Sequence, residues 1–247
     1  MRVQLAALIA AIGQVVAADL DLKVSGQEGV PPKFIFDGYH VSGICPDILH
    51  AISVLDPGLR FVGGYKPISV PLMEQGLESG LLDVACALTD IPRRHQIANM
   101  VPTPLYTVHE RLAVRSSDPV DIKSFDDLAK ASGMVVTFSG ASYAIKLREL
   151  GVPVDDSNAD AASTLRRLLS GHARFFYMND LTLAYLIRNA HAQRDIRILP
   201  TQLHEESTFF WVSRKLPAET FDRLGRDIAA LAANGELQRI YQRYELH

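Results

Sequence analysis

Ser139-Gly140-Ala141-Ser142 stands just ahead of a helical stretch that runs to Leu150. Two hydroxyls and a row of backbone N–H groups at a helix N-terminus suit a carboxylate, through hydrogen bonds and the helix dipole together. Capping of that helix by Ser139 or Ser142 is the simpler use of the same residues. Acid–base chemistry would need a general acid or base in a cleft, and Glu28, His40 and His95 are the conceivable groups. The eight histidines, however, form no spaced cluster. There is no Gly-x-Ser-x-Gly elbow for a nucleophilic serine. Cys45 and Cys86 form no Cys-x-x-Cys pair, so zinc, redox chemistry and any other cofactor have no support in the sequence. The chemistry on offer is that of binding a small polar solute.

The rest of the composition narrows the partner further. With 247 residues, 48% apolar and 21% charged, the chain can bury an ordinary globular core. A net charge of -3 leaves no basic excess for a phosphate backbone or an anionic membrane, which excludes nucleic acid as a partner. Met1-Arg2, the apolar run Val3 to Val16 and the small residues of Val16-Ala17-Ala18 have the form of a secretory signal peptide, with cleavage expected after Ala18. An exported chain with two cysteines permits one Cys45–Cys86 disulfide, and two buried free thiols are the alternative.

The elements that must position these groups follow from periodicity. Strands are predicted at Leu20 to Val24, Leu59 to Val62, Leu82 to Leu88, Glu110 to Val114, Gly133 to Phe138, Phe175 to Met178 and Thr208 to Val212. Helices are predicted from Pro46 to the Asp56-Pro57-Gly58 stop, at 70–80, after Ser124, after Ser142, at 160–169 and 181–189, and from Pro217 to Tyr244 with a break at Asn234-Gly235. Strand and helix alternate twice over about 100 residues each, which implies two α/β lobes.

The order and spacing of short motifs resemble the type II periplasmic solute-binding proteins, in particular family 3, which serves polar amino acid ABC transporters. Pro31-Pro32 leads to Gly43-Ile44-Cys45-Pro46-Asp47-Ile48, then Gly80-Leu81-Leu82-Asp83, Thr89-Asp90-Ile91-Pro92-Arg93 and Pro104-Leu105-Tyr106. Asp126-Asp127-Leu128, the Ser139 loop, Gly171 to Asp180 and Gly235 to Ile240 complete the series. The resemblance covers essentially the whole chain after residue 18. It implies an α/β, two-lobed type II fold with the ligand cleft between lobes joined by two hinge strands. Lobe I is then 19–106 with 208–247, and lobe II is 107–207.

The resemblance also assigns residues. Arg93 would clamp a ligand carboxylate with its planar fork, assisted by Ser139, Gly140 and Ser142. Tyr65 stands where the family keeps an aromatic wall. Leu88 stands where a hydroxyl is usual, with Cys86 two residues before it. The acid that receives an α-ammonium falls on Asn179 or, one residue later, Asp180, and that choice stays open. Tyr143, Phe209 and Trp211 read as core or hinge residues. The implied function is capture of a small carboxylate-bearing ligand, an amino acid or related organic acid, by a monomer in the periplasm for an inner-membrane ABC permease. A sensing or adaptor module and a dehydratase-like enzyme on the same fold are the alternatives.

Overall fold

The computed structural model describes residues 19–38, 40–63, 66–138, 142–158 and 161–244. The expected signal peptide 1–18, and with it Tyr65, Ser139 and Gly140, lie outside the described residues.

The chain opens with β1 (Leu20–Lys23), β2 (Gly26–Gln27), β3 (Ile35–Asp37), β4 (His40–Ser42) and α1 (Ile44–Leu55). There follow β5 (Leu59–Val62), β6 (Pro67–Ile68), α2 (Val70–Ser79), β7 (Val84–Thr89), α3 (Arg94–Ile97) and β8 (Ala98–Met100). The middle of the chain forms β9 (Tyr106–Arg115), α4 (Phe125–Lys130), β10 (Val135–Phe138), α5 (Ser142–Glu149), β11 (Val154–Asn158), α6 (Ala161–Leu169), β12 (Phe175–Asn179), α7 (Asp180–Asn189) and β13 (Ile196–Ile198). It closes with β14 (His204–Ser213), α8 (Ala218–Ala233) and α9 (Glu236–Tyr244).

A mixed sheet in the order β11-β10-β12-β9-β14-β7 organises the molecule, with β13 added on β9 and β8 on β14. The two ten-residue strands β9 and β14 are antiparallel neighbours from Tyr106 to Glu110. Beyond that stretch each has other partners: β9 pairs with β12 and β13, and β14 pairs with β7 and β8. They therefore belong to two cores at once.

One core gathers α1, α8 and α9 around Leu22, Leu59, Val84, Cys86, Phe210 and Val212. Across β7, Ala85 and Leu88 pack with Met73, Leu77 and the buried Trp211. The other core straddles β12, where strand periodicity sends alternate residues to opposite faces. Phe176 and Met178 meet Leu165, Leu168, Leu183 and Ile187, while Phe175 and Tyr177 meet Leu128, Leu147 and Ile122. A strand covered on both faces reads as a continuous apolar run, which is why Phe175 to Met178 has no polar alternation.

The start of α1 depends on Gly43. Its φ of 122° lies where a side chain is strained, and a Cβ there would sit 2.5 Å from the Pro32 carbonyl oxygen and 2.8 Å from that of Lys33. Those two carbonyls accept the N–H groups of Ile44 (3.0 Å) and Cys45 (3.1 Å), so backbone from the preceding loop does the work of a side-chain cap. In the first turn, Cys45 is joined to Cys86 of β7. The free-thiol alternative is thereby corrected: the helix start and the strand lie close enough, at a Cα separation of 5.9 Å, to be bridged.

At its other end α1 is tied to α8 by Arg223, which donates to both oxygens of Asp56 at 2.5 and 2.6 Å. Asp227 lies beside this pair, with Oδ2 buried and unpartnered. Burial, and then the charge of Asp56, push its carboxyl up to about 6. An acid raised in the folded state costs stability as pH climbs from its unfolded value near 4 to its folded value, because the native state then holds the extra proton. Asp227→Asn should therefore be more stable than wild type at pH 7, by about 1 kcal/mol once solvent screening of a partly exposed group is allowed for, and nearly neutral at pH 4. Urea denaturation at the two pH values checks the sign, and an equal or negative difference at pH 7 would contradict it.

Candidate functional site

Where β9 meets β14, the even-numbered residues of both strands share one face. Glu206 lies opposite Val108, Thr208 opposite Tyr106 and His204 opposite Glu110. Tyr106, Val108, Glu110, Glu206 and Thr208 from this face form the floor of a cavity of about 410 Å³. One wall is Lys33, Ile44, Glu74, Ala87, Leu88, Thr89 and Arg94; the facing wall is Phe138, Met178, Asn179, Leu181 and Thr182. Ile44 and Ala87 of one wall belong to the first core and Phe138 and Met178 of the other to the second, with Leu181 reaching across to the first. A mostly apolar cleft with a few convergent charged groups at such a junction is a small-molecule site.

The charged groups differ in how they are held. Arg94 is buried, with its side chain 6% exposed. Its Nε donates to Glu74 Oε1 at 3.0 Å, and its Nη1 donates to the Thr89 carbonyl and to Thr89 Oγ1 (3.1 Å). The guanidinium also lies 6.0 Å over the Trp211 ring. Desolvation lowers its pKa, and the neighbouring Glu74 opposes that shift. With Nε and Nη1 engaged, Nη2 is the group held ready to donate to a carboxylate.

Lys33 is 7% exposed. Its Nζ donates to Gln27 Oε1 at 2.6 Å and to the Ala87 carbonyl. Burial, with Arg94 close by, holds its amine well below the usual lysine range. The Ala87 carbonyl is aimed by an irregularity in β7: Ala87 has φ 58°, and the pairing with β14 shifts register between Phe209 and Trp211. Bulges of this kind re-aim backbone groups beside sites.

On the floor, Glu110 is buried and accepts the Tyr177 hydroxyl proton at 2.5 Å. Burial raises its carboxyl above the usual range. Glu206 is raised by the same cause and is hydrogen-bonded to Thr89. Cations at one wall and carboxyls on the floor can receive the two ends of a zwitterion. Among the described residues no group of three or more His, Cys, Asp or Glu side chains could hold a metal ion.

Over residues 22–247 the sequence matches the model for bacterial extracellular solute-binding proteins, family 3. The chain belongs to that family. No curated protein matches it in sequence. Among solved structures it resembles a putative binding component of an ABC transporter from Wolinella succinogenes DSM 1740 complexed with lysine, with TM-score 0.78 at 21% identity, covering 92% of this chain and 96% of that one. An ancestral arginine-binding protein bound to arginine has TM-score 0.76 at 18% identity, with 91% and 97% covered. A histidine kinase sensor domain with similarity to periplasmic binding proteins also reaches 0.76, at 19% identity, with 91% and 95% covered. The fold is the family's two-lobed α/β fold, and no helix among the described residues is long and apolar enough to cross a membrane.

Within this solute-binding protein the residues expected at the ligand separate into three groups. Leu88 and Asn179 line the cleft. Leu88 presents a buried side chain there while its carbonyl accepts the Trp211 Nε1 proton at 3.1 Å. Asn179 caps α7, its Oδ1 accepting from the Thr182 N–H at 2.9 Å.

Arg93 and Asp180, expected at the ligand, are not among the residues that line the cleft. Arg93 has a side chain 71% exposed and reaches Glu74 from outside at 3.3 Å, because the turn that enters α3 points successive side chains apart and Arg94 takes the inner place. Asp180 is the first residue of α7 and turns back to β9, where it accepts the His109 N–H (3.3 Å) and lies 3.8 Å from Arg111 Nε. Tyr65, Ser139 and Gly140 lie outside the described residues, and Ser142 is known only as the first residue of α5. Of the conceivable acid–base groups, Glu28 lies exposed at the cleft, whereas His40 and His95 are not among its residues. His95 instead pairs with Asp90 at 2.5 Å and packs edge-on to Trp211.

Lys33, Glu74, Arg94, Glu110 and Glu206 were not expected. For Glu110 a signal existed: in Val108-His109-Glu110-Arg111-Leu112 the acid shares the buried face of two apolar residues, where a charge needs a reason. Nothing in the sequence marks Lys33 beyond its place after Pro31-Pro32.

Proposed function

We propose that the protein is an exported solute-binding protein that captures a small carboxylate-bearing ligand, an amino acid or related organic acid, and presents it to an inner-membrane ABC permease. The observation that carries this reading is Arg94: a buried guanidinium, fixed by Glu74 and Thr89, at the wall of a 410 Å³ cleft between two cores. Glu110 and Glu206 on the floor supply acceptors for an ammonium, a role that Asn179 cannot fill with charge. The resembling structures with bound lysine and arginine support an amino acid as the ligand class.

The moving bodies are 19–106 with 208–247, and 107–207; they close on the solute by bending at β9 and β14, and the closed form is what a permease would recognise. Export to the periplasm through residues 1–18 and action as a monomer complete the reading. The reading is of binding without chemistry; of the three conceivable acid–base groups Glu28 lines the cleft and His40 and His95 do not.

A thermal-denaturation screen of the purified protein against the amino acids and small carboxylic acids tests it. A ligand at a hundred times its Kd should add about 2.7 kcal/mol of apparent stability. If no carboxylate stabilises the protein, the reading is wrong. Turnover of a stabilising acid into a new product would move it to the enzyme class.

A further inference from the structure

Lys33 and Arg94 are the two cations of the cleft wall, and they are compensated unequally. Arg94 has the Glu74 carboxylate at 3.0 Å. Lys33 has no carboxylate within 4 Å among the described residues; it donates to two neutral oxygens, one amide and one carbonyl. An ammonium has three donors, so one is left for the cavity that Lys33 lines. Of the carboxylates around the cavity, Glu74 is paired with Arg94, and Glu28, Glu110 and Glu206 make no ion pair with Lys33 among the described residues. A buried, unpaired ammonium is costly, and a methionine of similar length would avoid the cost.

The spacing of the two cations is set by β7. Lys33 is anchored on the carbonyl of Ala87 and Arg94 on that of Thr89, two residues further along the strand. The first of these anchors stands at the irregularity of Ala87, and both heads line the same cavity. Two anionic groups at the ends of a short carbon chain match such a pair of heads.

We infer that Lys33 is the counter-ion of a second carboxylate on the ligand, so that the cleft selects small dianionic solutes, acidic amino acids or dicarboxylic acids, over their singly charged counterparts. This rests on the reading of Arg94 as the seat of the first carboxylate.

Isothermal titration of the purified protein with L-aspartate, L-glutamate, succinate and glutarate, against L-asparagine and L-glutamine, tests the inference. At least one dianion should bind wild type at least tenfold more tightly than either amide. Lys33→Met should weaken that dianion at least tenfold and bring it level with the amides, while the empty variant melts at the same temperature as wild type or higher. Lys33→Gln, which keeps a donor, should lose the dianion preference as well.

Three results would overturn the inference while leaving a carboxylate-binding cleft in place. They are amides bound as tightly as the acids, a charge preference that survives in Lys33→Met, and binding only by other amino acids. A lower melting temperature in both empty variants with the preference intact would make Lys33 a structural residue. Absence of binding by every amino acid and carboxylic acid would overturn the functional reading and this inference with it.

Discussion

Replacing Arg94 by methionine should weaken binding of the carboxylate ligand by about 3 kcal/mol, roughly a hundredfold, whereas Arg93→Ala should change it by less than about 0.5 kcal/mol. The contrast follows from burial. Arg94 is held in a fixed orientation by Glu74 and Thr89 out of solvent, so its remaining Nη2 donors meet a bound anion without reorganisation. Arg93 reaches the same Glu74 from the surface with a largely exposed side chain, and such pairs contribute little. Arg94→Met also leaves the buried Glu74 with only the exposed Arg93 as ion-pair partner, at a cost to folding of up to about 3–5 kcal/mol. The double variant Arg94→Met/Glu74→Gln separates the two effects, since it removes the stranded charge and should fold while still failing to bind. Calorimetric titration of all three variants with the best ligand of the screen is the measurement. Equal losses for Arg93→Ala and the double variant would remove Arg94 from the ligand site.

Opening the Cys45–Cys86 bridge, by reduction or by Cys45→Ala/Cys86→Ala, should cost about 3–4 kcal/mol of stability. The sequence separation is 41 residues, and in the chain-entropy account a loop of that size, once released, gives the unfolded ensemble freedom on that scale. For a chain of this length about 1 kcal/mol moves the melting temperature by about 2–4 °C, so a fall of roughly 10 °C is expected in scanning calorimetry. Both sulfurs are buried in the core that carries α1, so the alanine pair should fall slightly further than the reduced protein because it also loses volume. The bridge ties the first turn of α1 to Cys86, one residue before Ala87, whose carbonyl anchors Lys33. Loss of the dianion preference on reduction would show that the bridge also positions the cleft. No change in melting temperature on reduction would mean that the loop is already constrained by packing alone.

The secondary structure was legible where one rule acted alone. The run Phe175 to Met178 and the apolar spacing of Ile48, Leu49 and Ile52 announce a doubly covered strand and an amphipathic helix without tertiary help, and both elements stand within a few residues of their expected bounds. The ends of the shared strands were less legible. Strand β9 begins at Tyr106 rather than Glu110, and β14 at His204 rather than Thr208, because the added residues, among them His109, Glu205 and Glu206, have no strand pattern of their own and are extended by pairing with each other. Cys45 and Cys86 illustrate the same limit, since composition allows a bridge and only the approach of α1 to β7 makes one.

Local pattern thus determined the class of the fold and the presence of an arginine at the turn after β7, because hydrophobic periodicity and turn chemistry act over a few residues. Which arginine lines the cleft, which acids stand beside it and where a buried lysine is left without an ion pair among the described residues were decided by tertiary structure. Arg93 and Arg94 are chemically identical neighbours, and Asn179 and Asp180 nearly so in size. What distinguishes each pair is the direction in which the backbone turns at that point: inward to Glu74 and Thr89 for Arg94, back to His109 for Asp180. Desolvation, which makes a charge matter, is a property of everything packed around it, and a sequence has no surroundings.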